Sequence, residues 1–422
     1  MTQEPPESEV FDIAVVGGGA AGSMAAIRAG ELKKSVILIE RNDSIGKKIL
    51  ITGKGRCNIT NTAPIETFIE KFGGSGKFLR TALFRFFNAD LIEFFRSHGL
   101  DMKTERQGRV FPVTDKARSV VEVLENCLAG NGVKVMYKAK LEAIKTKNGL
   151  FQLELEGRHT IIAKKVILAA GGASYKATGS TGDSFNIAAK LGHTIVPLKA
   201  GLVPLVTKEK WVKDLQGLAL EHIRLTFECG KKRLVSEIGE LMFTHFGVSG
   251  PLVLDLSGEV VTLLSENKEV RLLIDLKPAL TVEQMEKRML NDLKGPGRMQ
   301  FKNVMKGYLP QRLIAVFMNL AGIDAEREAN QITYEERRAI LNLFKALPLT
   351  IKGALPIEEA MVTGGGVSTR EINPRTMESK IVPGLYFAGE IIDGCASSGG
   401  YNLQQAFSTG HLAGEGAAAQ VN

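Results

Sequence analysis

Three glycines and one carboxylate carry the first chemistry in this sequence. Gly17, Gly19 and Gly22 stand in the run VVGGGAAG with Gly-x-Gly-x-x-Gly spacing, and Glu40 closes the next apolar run. Between a strand and a helix this spacing is a dinucleotide-binding fingerprint. Gly17 is expected to make the tight turn, Gly19 to let the backbone approach a pyrophosphate, and Gly22 to let the helix pack close. The helix N-terminus, from Ala20 and Ala21 onward, offers free N–H groups and positive dipole to the phosphates. Glu40 is spaced to accept from ribose hydroxyls. The plainer alternative is a tight strand–helix turn without a ligand.

The elements that must hold these residues are legible around them. Phe11–Val16 and Val36–Ile39 read as buried strands, and Ala20–Ala29 reads as the helix between them. The stretch TGKGRCNITN at 52–61 has no hydrophobic period and reads as a loop. Its donors Thr52, Lys54, Arg56 and Asn58 are placed to reach a pyrophosphate or a flavin ring. Residues 78–99 read as one Phe-rich helix, and Ala117–Gly130 as an amphipathic one. Thr160–Gly172 reads as a strand pair whose second member, VILAAGG, returns to the nucleotide fold. After it comes a small, polar loop, with Asp183 as the expected N-cap of a helix or, alternatively, a cofactor ligand.

The texture changes near residue 196. Alternating strands lead to helices opened by the capping boxes Thr281 with Gln284 and Thr333 with Glu336. LMFTHFGVSGPLVLDLS, at 241–257, sits among the strands. Gly-rich chemistry returns in MVTGGGV and in GLYFAGEIIDGCASSGGYNLQQAF. There Glu390 is placed to bond a ribityl hydroxyl, and Gly399–Gly400 before Tyr401 reads as another helix N-terminus. Together these readings give an α/β fold with a Rossmann-like, discontinuous FAD-binding domain and an inserted β-rich plus helical region. The expected boundaries are a disordered tail at 1–10, the FAD domain at 11–195 and 351–422, the β-rich insert at 196–280, and the helical subdomain at 281–350.

Composition bounds the rest. The 422 residues carry 54 Lys and Arg against 46 Asp and Glu, a net charge of +8 that permits an anionic or RNA partner without demanding one. Many of these cations fall early, at Lys47, Lys48, Lys54, Arg56, Lys71, Lys77, Arg80, Arg85, Arg106, Arg109, Lys116 and Arg118. A solvated face with phosphate contacts to the cofactor is the simpler account of them. Four cysteines lie far apart without metal-binding spacing, so neither a metal site nor a disulfide framework is expected. The N-terminus has no basic-then-apolar signal pattern, and no apolar run reaches membrane-span length. A cytoplasmic protein without a membrane partner is expected.

Across nearly its whole length the chain resembles the BaiN/YhiN-like family of bacterial FAD-dependent oxidoreductases. The resemblance rests on VVGGGAAG, TGKGRCNITN, VILAAGGASY…TGSTGD, LMFTHFGVSGP, VTGGGV and GLYFAGE…GGYNLQQAF. It implies FAD held by a two-part Rossmann-like domain. By motif, Gly17, Gly19, Ala20, Ala21 and Gly22 would hold the pyrophosphate and Glu40 the adenosine ribose. Gly53, Arg56, Cys57 and Asn58 would lie along the flavin side, and Ala170 and Gly171 along the adenosine half. Gly389, Glu390, Tyr401, Asn402 and Leu403 would surround the ribityl chain and pyrimidine edge. Val16, Arg41, Lys48 and Gly400 complete the expected cofactor set. The stretch DGCASS at 393–398 has no clear counterpart in the family pattern.

The family implies flavin redox chemistry on substrates of several kinds: steroid C=C bonds, small amines such as aminoacetone, and uridine in ribosomal RNA. One fingerprint serves FAD and no second nucleotide domain follows, so NAD(P)H is expected as a transient reductant on the substrate's own face of the flavin. The leading expectation is reduction of an activated C=C bond, with His245, Cys57, Tyr401 or Cys395 as the protonating acid. His245 read structurally is a hydrogen-bonded histidine, and Cys57 a small packing residue. The alternatives are an amine oxidase and a non-enzymatic RNA-binding protein that keeps FAD structurally.

Overall fold

The computed structural model describes residues 9–157, 159–266, 269–293, 299–324 and 326–419. The chain forms two compact units, residues 1–201 with 357–422 and residues 202–356. Of the expected N-terminal tail, residues 1–8 lie outside the described residues, and Val10 already belongs to the first strand.

The first unit is organised by β1 (Val10–Val16), α1 (Ala20–Glu31) and β2 (Val36–Ile39). β1 pairs in parallel with β2 on one side and with the strand Thr160–Leu168 on the other. Lys134–Met136 extends the sheet beyond β2. The expected strand pair within 160–172 is one nine-residue strand, and it changes partner halfway. Thr160–Ala163 pairs antiparallel with the strand Leu150–Leu155, while Val166–Leu168 pairs in parallel with Leu385–Phe387. Residues beyond 380 therefore enter the same sheet as residues 10–16. β1 from Ile13 to Val16 and all of β2 are buried, as expected of strands covered on both faces.

Helix α1 crosses the C-terminal helix Tyr401–Ala418 closely. A Cβ at Gly410 or Gly414 would fall 2.3 or 2.4 Å from the carbonyl oxygens of Ala21 and Ala25. Small residues on both helices thus allow near backbone contact. The single helix expected over 78–99 is two, Gly76–Arg85 and Asn88–Ser97. The break is at Phe86, which is extended (φ −150°), and Asp90 accepts from the Phe87 N–H to start the second helix.

The second unit holds a seven-stranded antiparallel sheet that closes on itself. Ala219–Cys229 pairs with Gly239–Phe243 through one part of its length and with Val270–Asp275 through another. Gly247–Ser249, Leu205–Thr207 and Leu347–Ala354 complete the ring. Closure leaves the ring strands without an open edge. The segment 241–257 is not all strand, since Pro251–Ser265 is a helix with proline in its first turn, where no N–H is needed. Both expected capping boxes form, Thr281 with Gln284 and Thr333 with Glu336. Two expected boundaries move for reasons of pairing. Residues 351–354 lie in a strand of the ring, and residues 196–201 stay with the first unit because Ile195–Gly201 pairs with Val362–Val367.

His411, on the C-terminal helix, stacks on Phe86 with ring centroids 4.6 Å apart. Its Nδ1 is buried without a hydrogen-bond partner among the described residues. Burial lowers its pKa to about 4, with Arg28 and Arg85 acting in the same direction and Glu415 and Asp90 against it. A depressed folded-state pKa means the unfolded chain binds the proton first, so stability falls as pH drops from 6.5 towards 4. The loss is about 3 kcal/mol at the low end. Chemical denaturation across this range is expected to show His411→Phe losing less stability than wild type by about that amount; equal pH dependence would contradict the assignment.

Candidate functional site

The turn after β1 is shaped by its glycines. Gly17 has φ 102°, and a Cβ there would lie 2.6 Å from the Ala169 carbonyl oxygen. A Cβ on Gly22 would lie 1.8 Å from the Gly17 carbonyl oxygen, so α1 can sit against the turn only without a side chain at that point. At Gly19 an added Cβ would meet no atom within 4 Å. Gly19 is also the N-cap of α1, and no side chain caps that end. The result is an open position over unsatisfied helix N–H groups, the arrangement that receives a phosphate.

Glu40 follows β2 and is 6% exposed. Its Oε2 accepts from the Gly18 N–H at 2.7 Å, and its Oε1 from the Asn42 N–H and side chain at 2.8 and 2.7 Å. These bonds fix the carboxylate and leave Oε2 room for a further donor such as a ribose hydroxyl. Asn42 also donates to the Thr178 carbonyl at 3.0 Å. Arg41 donates to the Thr181 hydroxyl at 2.5 Å and pairs with Asp183 at 3.3 Å. Asp183 is therefore not the N-cap expected of it; Gly182 holds that position and Asp183 opens the helix.

A second polar cluster joins distant parts of the unit. Lys48 Nζ lies 2.7 Å from Glu390 Oε2 and donates to the Ser174 hydroxyl at 2.8 Å. Glu390 Oε1 accepts from the Thr363 N–H at 2.7 Å and from Ser174 at 3.1 Å. Burial opposes charge on Glu390, but the Lys48 ammonium and these bonds outweigh it and hold its carboxyl below the usual range. Glu390, expected on a ribityl hydroxyl, thus has its carboxylate already engaged by its own chain.

These residues line one cleft enclosing about 1410 Å³ of empty space, part of it open to solvent. Of the expected cofactor residues it is lined by Val16, Gly17, Gly19, Ala20, Ala21, Glu40, Arg41, Lys48, Ala170, Gly171, Gly389, Glu390, Asn402 and Leu403. Cys395 lines it too, with a thiol pushed up to about 11 by burial and by the nearby Glu390 and Asp393. Asp183, whose alternative reading is a cofactor ligand, also faces the cleft, together with Asn42, Gln405 and the run Thr178–Gly182, for which the sequence suggests no such role. Asn42 and Gln405 carry no spacing signal; the small, polar composition around Gly179 and Gly182 was the available clue.

Other expected residues are spent elsewhere. Gly22 acts through packing. Gly53, Arg56, Cys57, Asn58, Gly400 and Tyr401 are outside the cleft lining. Arg56 reaches Asp115 at 2.8 Å, pairs with Glu105, and lies 4.2 Å over the Phe111 ring. Asn58 accepts from the Val110 N–H at 3.2 Å. Cys57 is fully buried in a left-handed conformation (φ 62°), and burial pushes its thiol up to about 12 despite a bond with Thr52. Gly400 is the N-cap of the last helix. The Tyr401 ring packs edge-on to Phe68 at 4.7 Å in a separate apolar cluster. His245 belongs to the second unit, in an exposed turn beside Phe246.

An open anion cradle, a fixed carboxylate beyond the second strand and a long cleft continuing to Lys48, Cys395 and Asn402 fit a dinucleotide such as FAD. The pattern described as the HI0933-like protein Rossmann domain matches residues 11–416. The chain is 34% identical over 408 residues to a 3-dehydro-bile acid delta(4,6)-reductase of Clostridium scindens, covering 96% of this chain and 98% of that one. It is 32% identical over 411 residues to a ribosomal RNA dihydrouridine synthase of Escherichia coli, covering 95% and 96%. Its fold is shared with a 3-ketosteroid delta1-dehydrogenase from Sterolibacterium denitrificans, at TM-score 0.51 and 14% identity over 97% of this chain and 100% of that one. By the match along its length and the relatives it shares that length with, the chain belongs to the HI0933-like Rossmann family of FAD-dependent oxidoreductases.

Proposed function

We propose that this flavoprotein is an NAD(P)H-dependent reductase of a conjugated C=C bond, with uridine in ribosomal RNA as its substrate. The observation that carries the reduction is the single nucleotide cleft. One Gly-x-Gly-x-x-Gly serves FAD, and the described residues form no second nucleotide fold, so reductant and acceptor take turns at one site. FAD bound in the cleft supplies hydride transfer between them. The names of the two relatives, a delta(4,6)-reductase and a dihydrouridine synthase, both describe saturation of a ring double bond. The net charge of +8 favours the polyanion between those substrates.

The chain's own residues have four tasks in this reading. Gly19 and the N-terminus of α1 bind the pyrophosphate, Glu40 orients the adenosine ribose, and Lys48 with Glu390 braces the far end. The fourth task, a proton for the carbon next to the one reduced, falls to Cys395, which alone of the four expected acids lines the cleft. Its raised pKa keeps the thiol protonated at neutral pH. An amine oxidase is less well supported. Among the described lining residues every carboxylate is engaged: Glu390 by Lys48, Asp183 by Arg41, and Glu40 by N–H groups. A cationic amine would find each of them already holding a donor. Four unpaired cysteines suit a reducing compartment, which supports a cytoplasmic location.

Gly19→Val is expected to weaken FAD binding at least about tenfold, because its side chain projects into the open cradle, where an added Cβ meets no atom of the fold. Flavin fluorescence titration with far-UV circular dichroism separates this from misfolding. Anaerobic NADPH or NADH is expected to bleach the bound flavin; bleaching by amines alone would move the assignment to an oxidase. Ribosomal RNA from cells lacking the gene is expected to lose dihydrouridine, read by mass spectrometry, and unchanged content would overturn the RNA substrate. Cys395→Ala is expected to slow substrate-driven reoxidation about a hundredfold with FAD still bound; if His245→Ala does so instead, the acid belongs to the second unit.

A further inference from the structure

The helix Gly76–Arg85 carries features that the cofactor cleft does not use. Phe84 is 61% exposed, the most of any large apolar residue described, although the neighbouring Leu79, Ala82 and Leu83 are buried. Arg80 stands 5.5 Å from the Phe84 ring centre. Lys77, Arg80 and Phe84 follow i, i+3, i+7 spacing, which puts them on one face of the helix. Lys71 ends the preceding helix, Ile65–Lys71. Among the described residues no carboxylate pairs with Lys71, Lys77 or Arg80, although Glu66 and Glu70 are exposed on that preceding helix.

This face begins next to the cleft lining. Ser75 immediately precedes the helix, and a Cβ on Gly394 would lie 2.8 Å from the Ser75 Cβ. Gly394 lines the cleft beside Cys395. From Lys77 to Phe84 the face runs about 10 Å along the helix axis. It therefore presents cations without carboxylate partners and then an exposed aromatic ring, in a line that starts beside Gly394 of the cleft lining.

A ring left in water is costly unless something covers it, and cations spaced beside an aromatic match one ligand chemistry well. A polyanion supplies the countercharge, and unpaired bases supply flat faces to stack on the ring. We propose that Lys77, Arg80 and Phe84, with Lys71 behind them, dock a single-stranded stretch of RNA and lead it to the cleft. This rests on the ribosomal RNA reading above and names the surface by which that substrate is held. Phe84 stacks a base, with the Arg80 guanidinium beside it, and Lys77 and Arg80 hold phosphates.

The test uses FAD-loaded full-length protein and a fluorescein-labelled, uridine-rich single-stranded RNA of about 20 nucleotides, a length that spans a typical single-strand site. Anisotropy is followed from low to moderate salt. The double variant Lys77→Glu, Arg80→Glu is expected to bind at least about tenfold more weakly, and its salt slope to fall by about 1.4, because two phosphates are no longer neutralised. Phe84→Ala is expected to bind about fivefold or more weakly with an unchanged slope, since stacking releases no counterions. Flavin reduction by NADPH is expected to be unchanged in both.

If wild type binds RNA and both variants bind equally well, the surface is wrong and the RNA reading stands. If wild type binds anionic lipid vesicles but no RNA, the proposal is overturned. Dihydrouridine content with and without the gene then decides separately whether the RNA reading falls with it.

Discussion

The Lys48–Glu390 ion pair ties together residues 342 positions apart, and the cleft depends on that closure. Lys48 follows the nucleotide turn; Glu390 follows a strand that joins the sheet only near the end of the chain. Neither charge would be stable alone in this part-buried place. Removing one partner strands the other, which costs far more than an exposed pair returns. Ser174 and the Thr363 N–H satisfy the remaining lone pairs, so the pair acts as a staple across four chain segments. The same staple consumes a carboxylate of the cleft lining. Holding the site together and neutralising Glu390 are one structural act.

Much of the first unit could be read from residue patterns because its signals are local. Gly17, Gly19 and Gly22 announce themselves by spacing within six residues, although the Ala169 carbonyl that bars a side chain at Gly17 lies far along the chain and only Gly22 is constrained by a near neighbour, Gly17. β1, α1 and β2 follow from apolar runs bounded by small or polar residues. The failures share a different cause. The strand Thr160–Leu168 reads as two because Lys164 and Lys165 interrupt its apolar run, and the change of partner at its middle leaves no mark on periodicity that would show it to be one. The Phe-rich run at 78–99 kept its helical period across a break that depends on one extended residue, Phe86.

Site residues divide in the same way. Backbone-dependent positions in the glycine turn and at Gly389 were legible, since small residues there have few other uses. Side chains with several possible partners were not. Arg56 looked like a donor for the cofactor, yet its guanidinium meets Glu105 and Asp115, which stand far along the sequence. Tyr401 sits at a helix start beside cleft residues, but its ring turns to Phe68. Asn42 carries no motif and matters because it clamps both Glu40 and the Thr178 carbonyl.

The C-terminal helix has a consequence for how the protein comes into being. Asn402, Leu403, Gln405 and Ala406 line the cleft, and Gly410 and Gly414 seat the same helix against α1. During synthesis, α1 leaves the ribosome hundreds of residues before this helix is made. Until then the side of α1 that meets this helix is uncovered and the cleft lacks those four lining residues. The full set of cleft-lining residues therefore exists only once residue 406 has been made, so the cofactor site is completed late in translation.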